Sequence, residues 1–155
     1  MKRRELLLQL AASPFSIFLG KVLEYDIPIE WLEIFKVISS VRIATTGELA
    51  AGIYAGLLIR SNEYHIILSS TEDKEYTTSV LIHEAWHAQQ HKQGRKYYGT
   101  HAEREAWSIQ ALCLTSINPS SRYIAWLWEQ STKQPENSPI EGNPIVECRI
   151  DYTCK

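Results

Sequence analysis

The spacing of apolar residues is helical along the first quarter of the chain. Residues 3–12 form a leucine-rich amphipathic run that predicts a short helix. A Ser-Pro pair then opens the segment 13–25, which suits an N-cap and the first position of a second helix. A third apolar stripe of helical period covers residues 29–39. We therefore predict a helical N-terminal region over residues 1–40.

The period shortens to that of β-strands in the next third of the chain. Residues 41–45 alternate between apolar and polar side chains, as a half-buried strand does. Two β-prone runs, 53–60 and 64–68, flank a polar triplet at 61–63. Two such runs around a short polar segment predict a hairpin. We expect a small antiparallel sheet or hairpin here.

Helical spacing returns in three longer segments. A helix is predicted over residues 74–93, and Gly94 is a plausible C-terminal cap. A second is predicted over 100–116, where an Asn-Pro pair at 118–119 ends it, and a last helix starts at Ser120-Ser121 within the C-terminal segment 117–132. The remaining residues, 134–155, contain three prolines, a glycine and two asparagines, which is typical of a tail.

These elements predict an α+β fold in one domain. A chain of 155 residues suits a single compact unit that buries its own core. We place that domain at residues 1–133, with the helical N-terminal region 1–40, a central core at about 41–116 and the C-terminal helix 117–132. The helices dominate, and the small sheet precedes the first long helix.

Charge and apolar content exclude two classes of partner. The net charge is −2 and the sequence pI is about 6.2, which gives no basic footprint for nucleic acid. The chain has no apolar run of the roughly 18 residues that a membrane-spanning helix needs. We predict no nucleic-acid partner and no membrane span.

The cysteines and the N-terminus bear on location. Three cysteines, Cys113, Cys148 and Cys154, are an odd number, which argues against a disulfide framework. Cys148 and Cys154 could still pair in an oxidising compartment. The basic start Lys2-Arg3-Arg4 resembles a signal peptide, but polar residues interrupt the apolar stretch that follows. We therefore predict a cytoplasmic protein, with secretion as the alternative.

The segment His83-Glu84-Ala85-Trp86-His87 carries the chemistry of the chain. His83 and His87 are four residues apart, so a helix places both imidazoles on one face, where they can bind one zinc ion. Glu84 is rotated by about 100° from His83, which lets its carboxylate face a water molecule instead of the metal. This spacing predicts a zinc site with Glu84 as the general base.

A catalytic zinc needs a third protein ligand, and the helix at 100–116 offers two carboxylates. On a helical projection Glu103 lies near the middle of an apolar arc, Glu105 lies at its edge and His101 points outward. A carboxylate on an apolar face needs a strong partner, which favours Glu103. Glu105 remains an alternative, and a capping box between Thr100 and Glu103 would explain Glu103 without a metal.

His91 continues the histidine series but is not expected to bind the same ion. It lies eight residues from His83, about 12 Å along a helix, so we predict a position at the rim or in solvent. The longer three-histidine pattern would require glycine and histidine where this chain has Gln90 and Gln93. That class of zinc site is excluded.

With its H-E-x-x-H segment and a downstream Glu103-Arg104-Glu105-Ala106, the chain resembles the gluzincin type of zinc metallopeptidases. Glu103 and Ala106 match the first and fourth positions of the E-x-x-A-[D/N] pattern that several small members carry. Trp107 departs from it, standing where many members have an acidic or amide side chain. The resemblance covers roughly residues 50–116.

The resemblance implies a zincin-like fold and a zinc-dependent hydrolase that acts on peptides or proteins. It implies that zinc is held by His83, His87 and Glu103, with Glu84 as the catalytic residue. It also implies that an edge strand within residues 53–68 holds extended substrate. A zinc-binding regulatory or interaction protein of the same fold is the alternative function. A helical interaction protein without zinc, with a tryptophan-rich surface, is a third.

Overall fold

A computed structural model describes residues 2–11, 29–50, 55–69 and 74–133. The predicted helix over 13–25, the tail 134–155 and the cysteines of that tail lie outside these residues. The helices and strands, numbered along the chain, are α1 (Arg3–Ala11), α2 (Ile29–Ile34), β1 (Ile38–Ile43), α3 (Thr46–Ala50), β2 (Ala55–Arg60), β3 (Glu63–Leu68), α4 (Lys74–Lys92), α5 (Thr100–Ile117) and α6 (Ile124–Lys133). The predicted α+β class with dominant helices is confirmed.

The helix that the sequence predicted over 29–39 ends early. It stops at Ile34, passes through a 3₁₀ turn at Phe35–Val37, and strand β1 begins at Ile38. The residues from Val37 to Val41 are β-branched or serine, which favour a strand or a turn over a helix. The apolar positions of this segment are buried or half-buried as predicted, but its last residues, from Ile38, belong to strand β1 and not to a helix.

The sheet has three strands in the order β1-β3-β2. Strands β2 and β3 form the predicted antiparallel hairpin, in register from Ala55 opposite Leu68 to Arg60 opposite Glu63. Its turn residues Ser61 and Asn62 have φ values of 51° and 61°, as a two-residue hairpin turn of matching twist requires. Strand β1 pairs with β3 in parallel, so the sheet is mixed and not purely antiparallel.

One face of the sheet packs against α4. Tyr64, Ile66 and Leu68 alternate along β3 and are buried in the same apolar cluster as Leu81 and Ile82 of α4. The opposite side of α4 contacts α5, which in turn packs against α6. Helix α4 is thereby buried between the sheet and α5, which explains why it carries few charges near its centre.

Helix α4 ends as the sequence predicted. Gly94 has a φ of 71°, and its N–H donates to the His91 carbonyl at 2.9 Å, while the Arg95 N–H donates to the Gln90 carbonyl at 2.9 Å. This pair of bonds is a Schellman motif, for which glycine has the conformational freedom. None of the helices in the described ranges combines the length and apolar character needed to cross a bilayer.

Candidate metal centre

His83 and His87 face each other on the side of α4 that contacts α5. Both side chains are buried, and their Nε2 atoms lie 3.2 Å apart. The ring planes are nearly perpendicular, at 77°, with centroids 4.9 Å apart. One helical turn separates the residues, which places both imidazole nitrogens at one point.

Glu103 of α5 reaches that same point. Its carboxylate oxygens lie 3.4 Å from His83 Nε2 and 3.1 Å from His87 Nε2. Within the described ranges of the chain, these three side chains form a cluster that could hold a metal ion, with ligand atoms within 4.8 Å of one another. The residues named from the sequence as zinc ligands are therefore brought together in space.

The spacing within this triad of His83, His87 and Glu103 suits a small tetrahedral cation. Ligands at about 2.0–2.1 Å from a tetrahedral zinc ion lie about 3.3 Å from one another. The two Nε2 atoms are 3.2 Å apart, and each faces its own Glu103 oxygen, His87 at 3.1 Å and His83 at 3.4 Å. With one ligand atom taken from each residue, all three lie within 4.8 Å of one another, so a cation between them could contact all three.

Burial and the charge of the neighbouring groups shift the pKa values of Glu103 and His87 in opposite directions. Burial acts to raise the pKa of the Glu103 carboxyl, but the two imidazoles outweigh it and hold that pKa well below its usual range. Burial likewise acts to lower the pKa of His87, but the Glu103 carboxylate raises it to about 9. Each group thus depends on an opposite charge beside it.

The start of α5 leaves the Glu103 side chain available for the histidines. Gly99, with a φ of 88°, is the N-cap residue, and it makes no side-chain capping hydrogen bond. The Glu103 N–H donates to the Gly99 carbonyl at 3.0 Å, and Thr100 already lies inside the helix. Thr100 is therefore not the N-cap residue that a capping box with Glu103 requires.

Glu105 lies in a different network. It accepts a hydrogen bond from Trp86 Nε1 at 2.9 Å and a bidentate pair from Arg95. These contacts hold the pKa of the Glu105 carboxyl below its usual range against the opposing effect of its burial. Glu105 therefore ties the loop after α4 to α5 and does not point at the histidines.

Gln90 fixes the orientation of the His87 ring. Its amide nitrogen donates to the Ala102 carbonyl at 3.2 Å, so its amide oxygen faces His87 Nδ1 at 2.9 Å. A carbonyl only accepts, so Nδ1 of His87 must donate, and a neutral His87 keeps its lone pair on Nε2, toward Glu103. Sequence reasoning left this orienting group unassigned, although position i+3 from a ligand on the same helix face is a usable signal.

His83 is held differently. Among the described residues its buried Nδ1 atom has no hydrogen-bond partner, and its ring packs edge to face against Trp107, with centroids 4.6 Å apart. Metal-binding histidines usually donate their second ring N–H to an acceptor. The described part of the chain supplies an indole contact to this ring and no such acceptor.

Glu84, the residue predicted as general base, is buried beside the triad. Only 8% of its surface is exposed, and within the described ranges its carboxylate makes no hydrogen bond. Burial raises the pKa of Glu84; the two histidines oppose this rise, and Glu103 adds to it. The carboxylate thus lies near the histidines and Glu103 without joining the triad.

His91 lies outside the triad, as its distance along the helix requires. Its Nδ1 is 2.7 Å from the Tyr64 hydroxyl, and its ring contacts Tyr64 and Tyr97 edge to face. The His91 side chain is half-buried, which agrees with a rim position, and its ring packs against two tyrosines instead of lying free in solvent.

Comparison of the chain with protein-family models, with curated proteins and with solved structures finds no match in any of the three.

Proposed function

We propose that this chain is a zinc-dependent hydrolase of the peptidase type. Zinc would be held by His83, His87 and Glu103, and Glu84 would act as the general base. One observation carries the proposal: two imidazole nitrogens and a carboxylate converge with separations of 3.1 to 3.4 Å inside a largely buried site. Two histidines and one glutamate are a ligand set that catalytic zinc sites use.

The residues around the triad supply the remaining functions that the reaction needs. Bound zinc provides a Lewis acid that polarises a carbonyl and lowers the pKa of water at the site to about 7. Glu84 is adjacent to His83 along α4 and has a small solvent-accessible surface, so it can accept a proton from an attacking water. It would then donate that proton to the leaving amine of a peptide or protein, the substrate class that the resemblance to zinc metallopeptidases implies.

A zinc-binding regulatory or interaction protein is the second candidate function. It is favoured by His83 Nδ1, which is buried without an acceptor among the described residues, and by the packing of Trp107 against that ring. A ligand histidine without this hydrogen bond is less precisely oriented, which lowers activity. Both candidates share the zinc site and differ only in turnover.

The location proposed for either candidate is the cytoplasm. The odd cysteine count supports it, and Cys113 is a buried free thiol. Burial raises the pKa of that thiol to about 12, so it is a packing residue and not a nucleophile.

Metal analysis with paired variants tests the proposal. We expect the purified chain to retain one zinc per molecule, and expect Glu103→Gln to lose it. Glu105→Gln is the matched control, since the same carboxylate is removed two residues away, and it should keep zinc. A chain without stoichiometric zinc, or equal zinc in both variants, would overturn the assignment of the triad.

Glu84→Gln separates the two candidate functions. The variant should keep its zinc and lose about 10²- to 10⁴-fold in peptide hydrolysis, because only the general base is removed. The readout is cleavage of a mixed peptide library by the zinc-loaded chain. If the wild-type chain and Glu84→Gln bind zinc equally and cleave equally little, the regulatory function replaces the peptidase.

A further inference from the structure

Two tryptophans extend from the triad to the surface of the molecule. Trp107 of α5 packs against His83, and Trp126 of α6 packs against Trp107 at a centroid distance of 5.5 Å and an interplanar angle of 83°. Trp107 is half-buried, and Trp126 is 43% exposed. We call Trp107 and Trp126 the tryptophan pair.

The most exposed group of the triad lies one helical turn from this pair. The Glu103 side chain is 27% exposed, whereas the side chains of His83 and His87 are only 7% and 6% exposed. Trp107 follows Glu103 by four residues on α5, so both lie on one face of that helix. Trp107 is thus next to Glu103 along α5 and in contact with His83, and Trp126 continues from it to the surface.

Packing does not explain the exposure of Trp126. The apolar contact between α5 and α6 is made by Ala111, Leu114 and Leu127, all fully buried. Leu127 already supplies the inward side chain of this stretch of α6. Trp126 thus adds an exposed indole beside the triad that the contact between the helices does not require.

We propose that the tryptophan pair is a subsite for an aromatic side chain of the substrate, adjacent to the carbonyl group that is attacked. The inference rests on the proposed function, since it concerns a ligand held at the same triad. Aromatic rings in edge-to-face or offset contact gain free energy beyond simple burial. Trp107 is fixed between His83 and Trp126, so a ring bound there loses little to reordering of the protein.

Two hydroxamic acids that share one zinc-binding group test the subsite on the full-length, zinc-loaded chain. Acetohydroxamic acid carries only a methyl group, and 3-phenylpropanoyl hydroxamic acid adds a phenyl ring on a short linker. Calorimetric titration should give a Kd about tenfold lower for the phenyl compound, the size expected for one favourable aromatic contact.

Trp128 provides the matched control for the variants. It lies two residues from Trp126, on the other side of α6, is 39% exposed, and within the described residues makes no ring contact. Trp126→Ala should reduce the tenfold preference to about threefold or less, Trp126→Phe should retain most of it, and Trp128→Ala should leave it unchanged.

Retention of the full preference by Trp126→Ala, or no preference in the wild-type chain, would overturn the subsite while acetohydroxamic acid still reports the zinc site. Failure of both compounds to bind would overturn the zinc site and the subsite together.

Discussion

At the scale of single residues, His83 and His87 differ in what orients each ring. His87 is fixed through Gln90 to the backbone of α5, whereas His83 is packed against an indole and its Nδ1 has no acceptor among the described residues. A hydrogen bond to the second ring nitrogen fixes the tautomer and increases the basicity of the nitrogen that binds metal. Of the two candidate ligands, His87 is therefore the one whose ring is oriented for metal binding.

The importance of Gln90 can be measured directly. Gln90→Ala removes the acceptor for His87 Nδ1, and we expect zinc affinity to fall about 10- to 100-fold. Competition with a chromophoric chelator gives the Kd. Gln89→Ala is the control, because the same side chain is shortened at the neighbouring, partly exposed position. Wild-type affinity in Gln90→Ala, with its circular dichroism spectrum unchanged, would contradict the orienting role.

At the scale of helices and strands, the sequence predicted the elements that depend on residues close together in the chain. Helix α4 and the β2-β3 hairpin were predicted to within two residues, since an apolar period, a glycine cap and a polar turn lie within each segment. The parallel pairing of β1 with β3 was not predicted, because it joins residues more than twenty positions apart. The early end of α2 had a local signal in the β-branched and serine residues from Val37 to Val41, and the pairing of Ile38 with Tyr64 on β3 adds a contact that the segment alone does not show.

The sequence pattern did not predict helix α3. Its N-terminus is held by several side-chain hydrogen bonds, although the helix has only five residues. Thr45 and Glu48 form a reciprocal capping box: the Glu48 N–H donates to Thr45 Oγ1 at 3.1 Å, and the Thr45 N–H donates to Glu48 Oε1 at 2.8 Å. Arg42 of β1 donates to both Glu48 oxygens, at 2.5 and 3.0 Å. These polar bonds hold the turn to β1, and Leu49 of α3 packs against Ala44, Leu58 and Ile67.

The carboxylate of Glu48 should make stability depend on pH. The hydrogen bonds from Arg42 outweigh the opposing effect of burial, and they lower the pKa of Glu48 from 4.5 to about 2. A lowered pKa adds stability that is present above pH 4.5 and is lost as the pH falls toward 2. In metal-free protein at pH 7, we expect Glu48→Gln to reduce the free energy of unfolding by about 2 kcal/mol.

Urea unfolding of wild-type and Glu48→Gln protein at several pH values measures this contribution. The difference in the free energy of unfolding should shrink between pH 4.5 and 2, where the wild-type carboxyl becomes protonated. Glu33→Gln, an exposed position on α2, should show no difference at any pH. A Glu48→Gln difference that stays constant through this range would show that charge is not its source.

At the scale of the whole molecule, the triad joins the two longest described helices. His83 and His87 belong to α4 and Glu103 to α5, and seven residues separate the ends of these helices. The helix projection could favour Glu103 because the neighbouring residues define an apolar face. It could not exclude Glu105, whose contacts with Trp86 and Arg95 come from outside α5. Tertiary contacts, which no single segment encodes, make that distinction.

Zinc bound between α4 and α5 should stabilise the entire fold, because the unfolded chain cannot hold the three ligands together. At free zinc of about 1,000 times Kd, the gain is about 4.1 kcal/mol, or a rise in Tm of roughly 8–16 °C for a domain of this size. Differential scanning calorimetry with zinc and with a chelator measures the shift.

His87→Ala should lose the shift, whereas His91→Ala, one turn further along α4, should keep it even if its starting Tm is lower through loss of the bond to Tyr64. A zinc-induced shift of equal size in His87→Ala would mean that the stabilising ion binds elsewhere. A wild-type Tm that does not respond to zinc would remove the physical basis of the metal centre.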